Sequence, residues 1–101
     1  MNPVATGEQA GGTARLLVAD DEPTILELLS ASLRYAGFDV VTAADGNEAL
    51  TMARAQRPDA LVLDVMMPGL DGFEVVRRLR NEGSTAPVLF LTAREPAHRR
   101  R

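Results

Sequence analysis

At 101 residues, with 46% hydrophobic and 25% charged side chains, the chain has the size and composition of one ordinary soluble domain, with no room for a second. Cysteine is absent, which excludes a disulfide framework, a thiolate zinc site and a cysteine nucleophile. A formal charge of −3 gives no global attraction to nucleic acid or to an anionic membrane, and every basic residue is arginine.

Residues 1–14 are small and polar, with neither a basic start nor an apolar stretch, so they read as a flexible tail rather than a signal peptide or spanning helix. No apolar run elsewhere approaches the length of a membrane span, and the expected compartment is the cytoplasm.

From Arg15 two kinds of segment alternate. Leu16-Leu17-Val18-Ala19 is a short continuous apolar run, suited to a strand buried on both faces, and Asp20-Asp21-Glu22 ends it. Pro23 suits a first helical position, and Ile25, Leu28, Leu29, Leu33 and Ala36 then form an apolar stripe that stops at Gly37. Phe38 to Ala43 is rich in β-branched residues and predicts a strand nearer the sheet edge. Asp45 and Glu48 have capping-box spacing before a helix that runs to about Gln56, closed by Pro58. Ala60-Leu61-Val62-Leu63 repeats the buried-strand signature and meets Asp64. Asp71 and Glu74 repeat the capping spacing before a third helix carried by Phe73, Val76, Leu79 and Arg80. Pro87 to Leu91 predicts a fourth strand.

The order βαβαβαβ with right-handed crossovers requires parallel strands, so the fold class is α/β, with helices covering a doubly wound parallel sheet. In such sheets ligands bind beyond the carboxyl ends of the strands. There the sequence places Asp20 and Asp21 after the first strand, Asp64 after the third and Thr92 after the fourth. Carboxylates held about 4 Å apart repel by roughly 4 kcal/mol per pair at an effective dielectric near 20, so a cation is expected among them. With only oxygen ligands at hand, Mg2+ is the expected ion, and one aspartate could then accept a phosphoryl group. Taken alone, Asp20-Asp21 also reads as helix capping and dipole compensation, and Thr92 as an ordinary strand-end hydroxyl. A phosphatase-like enzyme built on Asp64 is disfavoured, because the position of its proton-transfer group, two residues on, is Met66.

Three stretches carry a resemblance: Leu17-Val18-Ala19-Asp20-Asp21-Glu22, then Leu61-Val62-Leu63-Asp64-Val65-Met66-Met67-Pro68-Gly69-Leu70-Asp71-Gly72, then Leu91-Thr92-Ala93-Arg94. Over Arg15 to about Arg94 the chain resembles the receiver domain of bacterial two-component response regulators, most closely the branch that couples a receiver to a winged-helix DNA-binding domain. The resemblance implies a flavodoxin-like, chemotaxis-receiver-like fold with strand order 2-1-3-4-5. It implies Asp64 as phosphoacceptor, served by a phosphohistidine on a sensor histidine kinase. Asp21, Asp64 and the main-chain carbonyl of Met66 would hold Mg2+, Asp20 would assist through ordered water, and Thr92 would contact a phosphoryl oxygen and act as a switch.

The sequence departs from that family in lacking the lysine placed after its fifth strand, and the last helix-strand-helix of the family pattern is not accounted for. The expectation is therefore a partial receiver over residues 15–94, with about four strands and three helices and a frayed tail over 95–101. Its fourth strand is expected to form an exposed apolar edge, and the usual family dimer interface is expected to be absent. No DNA-recognition element is present in the sequence, so neither nucleic acid nor membrane is an expected partner of this chain itself. His98 and the arginines at positions 99–101 read as solvated terminal residues. The functional expectation is a phosphoaccepting receiver without independent enzymatic turnover, whose intact relatives regulate transcription. The alternative is a non-phosphorylatable remnant acting only as a binding module.

Overall fold

A computed structural model of the chain describes residues 12–91. Thr92, the tail over 95–101 with His98, and residues 1–11 of the expected N-terminal tail lie outside the described residues. Seven elements follow in order: β1 Arg15–Ala19, α1 Pro23–Tyr35, β2 Asp39–Ala43, α2 Gly46–Gln56, β3 Ala60–Asp64, α3 Gly72–Asn81 and β4 Val88–Leu91. The four strands form one parallel sheet in the order β2-β1-β3-β4. The doubly wound class and the position of the second strand at an edge are as the pattern predicts.

Register explains how the sheet divides its two faces. Leu17 lies beside Val41 and Leu61, and Ala19 beside Ala43 and Leu63, so these side chains share one face. That face holds the main core, closed by Ala49, Leu50 and Ala53 of α2, Val75 and Leu79 of α3 and Met67 of the loop after β3. The opposite face carries Leu16, Val18 and Val40, all buried, and α1 packs there on β1 and β2. Further along it the cover thins: Val62 is half-buried and Leu89 is 63% exposed. β4 is the outer strand among the described residues, and it is apolar throughout.

Local chemistry sets the element boundaries, and in several places it corrects the sequence pattern. Glu22, not Asp20 or Asp21, caps α1, accepting from the N–H groups of Thr24 and Ile25. The sheet-facing stripe of α1 includes Leu26 and the buried Ser30, whereas Leu28 is 66% exposed and Ala36 lies on the surface as the C-cap. β2 begins at Asp39 because the Phe38 N–H is taken by the Leu33 carbonyl of the closing helix. β4 begins at Val88, one residue after Pro87, which has no N–H to give to a ladder.

In α2 the capping pair forms, with the Glu48 N–H donating to Asp45 Oδ1 at 2.8 Å. The Glu48 carboxylate, however, reaches back to the Ala44 N–H rather than to that of Asp45. α2 ends at Gln56, as the pattern predicts, and its C-cap is Arg57, which adopts the left-handed conformation at φ 50° just before Pro58. In α3 only half of the capping box forms: Asp71 accepts from the Glu74 N–H, while the Glu74 carboxylate turns to Arg77 and Arg78. The buried side of α3 is Gly72, Val75 and Leu79. Of the residues expected to carry this helix, Leu79 is buried, Val76 half-buried and Phe73 and Arg80 exposed, and the Phe73 ring packs tilted on Phe90, centroids 4.8 Å apart.

Candidate phosphoryl and metal site

The strand order turns between β1 and β3: the chain leaves β1 toward β2 on one side and returns to β3 on the other. This is where an open parallel sheet presents a crevice at its carboxyl edge. Ala19 is in register with Leu63, so Asp20 and Asp64 emerge side by side from the two central strands. Both are almost fully buried, at 2% and 1% exposure, while Asp21 faces solvent. One carboxylate oxygen from each of Asp20, Asp21 and Asp64 falls in a cluster whose members lie within 4.8 Å of one another.

Backbone groups orient the two buried acids. Asp20 Oδ1 accepts from the Glu22 N–H at 2.8 Å, and its own N–H donates to the Ala43 carbonyl at 3.2 Å. Asp64 Oδ1 accepts from the Met66 N–H at 3.3 Å. The loop after Asp64 is tied at both ends: the Val65 N–H donates to Leu91 O and the Gly72 N–H to Val65 O.

Three like charges at these separations repel by roughly 3 to 4 kcal/mol per pair at an effective dielectric near 20. A divalent cation turns that repulsion into attraction. Among the described residues the donor set consists of carboxylate oxygens, which suits a hard cation such as Mg2+ with waters completing its shell. The residues thus fit Mg2+.

The structure therefore brings together Asp20, Asp21 and Asp64 as the sequence predicts, and places Met66 two residues beyond Asp64 in the same loop. Thr92 lies one residue past the described part of β4. Sequence reasoning missed two contributors, Gly46 and Gly72, against which the ends of the loop after Asp64 close. The signal was present as a repeated Asp-Gly pair, Asp45-Gly46 and Asp71-Gly72, each at a helix start.

Residues 16–100 match the response regulator receiver domain. The chain belongs to this family. The response regulator MprA of Mycobacterium bovis is 52% identical over 88 residues, a match covering 87% of this chain and 38% of that protein. "Probable transcriptional regulatory protein TcrX" of Mycobacterium tuberculosis is 48% identical over 85 residues, covering 84% and 36%. The chain thus spans little more than a third of the length of these curated relatives. Among solved structures, Vibrio cholerae chemotaxis protein CheY4 superposes with a TM-score of 0.78 at 38% identity, covering 87% of this chain and 75% of that one. Thermotoga maritima TrrA, crystallised in complex with Mg2+–BeF, gives a TM-score of 0.76 at 40% identity over the same shares. The receiver fold and the family are thereby shown, and no helix among the described residues is long and apolar enough to cross a membrane.

Proposed function

We propose that this receiver accepts a phosphoryl group on Asp64 from a phosphohistidine of a sensor histidine kinase, with Mg2+ held by Asp21, Asp64 and the main-chain carbonyl of Met66. The observation that carries this reading is the convergence of Asp20, Asp21 and Asp64 at the turn in strand order. It is supported by the Mg2+–BeF complex of the Thermotoga relative.

Each residue has a defined task. The Met66 N–H fixes the rotation of the Asp64 carboxylate, so the nucleophile is oriented before a donor arrives. A carboxylate oxygen of Asp64 forms a P–O bond as the P–N bond of the donor breaks. The electron pair passes to the imidazole nitrogen, which takes up a proton from solvent. Bound Mg2+ supplies neutralisation of charge on the phosphoryl oxygens. Asp21, exposed at the rim, is the acid an incoming cation meets first, and buried Asp20 contributes negative charge and orients water. On the family resemblance alone, Thr92 contacts a phosphoryl oxygen and turns toward it on activation, a local charge event that biases a two-state loop. The chain has no independent turnover, works in the cytoplasm, and serves a transcriptional output as its relatives do.

Phosphoramidate tests this directly, because it carries the same P–N bond as the histidine donor. With Mg2+ the intact mass of the chain is expected to rise by about 80 Da, one phosphoryl group. With EDTA, or in Asp64→Asn, it is expected to stay unchanged. A wild-type chain that gains no mass in Mg2+ contradicts the reading and favours a binding module without phosphotransfer.

A further inference from the structure

We propose that Gly46 and Gly72 are positioning residues for the acidic pocket, acting through the loop over residues 65–71. This inference rests on the functional reading above, in which Asp64 and the Met66 carbonyl hold Mg2+.

The two ends of that loop close against glycine. A Cβ at Gly72 would stand 2.5 Å from the Asp64 carbonyl oxygen and 3.2 Å from Val65 Cα. A Cβ at Gly46 would stand 1.8 Å from the Leu70 carbonyl oxygen and 2.7 Å from its carbon. At each glycine the shortest separation, to a carbonyl oxygen, lies far inside van der Waals contact, and that atom is backbone, so no side-chain rotation relieves it. Any residue other than glycine must displace the loop or the helix start.

Helix geometry does not call for glycine at either place. Gly46 and Gly72 are the first helical residues of α2 and α3, and neither is among the glycines with positive φ. Each helix start is already capped by the preceding aspartate, Asp45 or Asp71. Glycine is among the poorest helix formers, so its use here is explained by the close approach of the loop.

Between these two contacts the loop has little freedom. Val65 is tied to Leu91 and Gly72, and Met67 is buried in the core, so Met66 is held between fixed neighbours. Gly46 belongs to α2, which carries none of the three acids. A side chain there would push Leu70 away from α2 and reach Met66 only through the loop, so Gly46 separates positioning from direct ligation.

The test uses the full chain and Mg2+ alone as probe, followed by titration calorimetry, with a thermal melt of each variant. Gly46→Ala is expected to weaken Mg2+ binding by roughly tenfold or more, and the core variant Leu79→Ala, near the far end of α3, by less than about twofold although it too is destabilised. On the wild-type chain, Mg2+ is expected to shift the NMR signals of the Gly46 and Gly72 amides as well as those of the acids, a readout that holds even if Gly46→Ala does not fold. Shifts confined to Asp20, Asp21 and residues 64–66, or equal Mg2+ affinity in Gly46→Ala and wild type, would overturn the inference alone. So would a loss in Leu79→Ala as large as that in Gly46→Ala. A wild-type chain that takes up no Mg2+ overturns the functional reading and this inference with it.

Discussion

Asp20 and Asp64 end adjacent parallel strands and are held in the same way, each accepting on Oδ1 the backbone N–H of the residue two places on, Glu22 for one and Met66 for the other. Local turns thus aim two buried carboxylates at one point, and Asp21 completes the set from the solvent side.

The cluster links the stability of the fold to a bound cation. At a hundredfold excess over its Kd, Mg2+ is expected to stabilise the wild type by about 2.7 kcal/mol and to leave Asp64→Asn nearly unchanged. Urea denaturation of both proteins with and without Mg2+ reads this. An equal gain in the two proteins contradicts it.

Ser30 is the buried residue of α1, and its hydroxyl is without a hydrogen-bond partner among the described residues. Ser30→Ala is expected to stabilise the chain by about 1 kcal/mol, since alanine removes the desolvation penalty and is the better helix former. At this domain size that corresponds to a rise in Tm of about 4–8 °C. A loss of stability on the same substitution would mean that the hydroxyl is satisfied.

Most of the fold was legible because its signals are local. The apolar runs at Leu16–Ala19 and Ala60–Leu63, the proline at Pro23 and the aspartates at Asp45 and Asp71 each fix an element through nearest-neighbour chemistry. The site was legible for the same reason: acids that directly follow strands of a parallel sheet must gather at one edge. What the sequence could not show depends on tertiary contact. Glu22 won the α1 cap because the Asp20 carboxylate is engaged by the Glu22 N–H and turned toward the pocket. Val75 rather than Phe73 faces the core, and the Phe73 ring packs on Phe90, a contact between elements that no local pattern shows. The left-handed Arg57 has no periodicity to reveal it.

On the outer side of α3, the guanidiniums of Arg77 and Arg78 hold the Glu74 carboxyl down to about 2 from an ordinary value of 4.5. Because the folded-state value is the lower one, the contribution of Glu74 to stability is complete above about pH 4.5 and fades as pH falls toward 2. The pairs are partly exposed, so the effect is modest and sensitive to salt. Glu74→Gln is expected to flatten that part of the acid limb of the stability curve, measured by denaturation between pH 5 and 2.5. An unchanged slope would show that the two arginines do not stabilise the carboxylate in solution.

The central claim is most directly tested by locating the phosphoryl group. After exposure to phosphoramidate and Mg2+, an acid-quenched tryptic digest is expected to carry the added mass of about 80 Da, one phosphoryl group, on the peptide over residues 55–77 that contains Asp64. EDTA or Asp64→Asn should abolish it. Phosphate on the peptide over residues 16–34, which contains Asp20 and Asp21, or on any peptide of Asp64→Asn, would contradict the account.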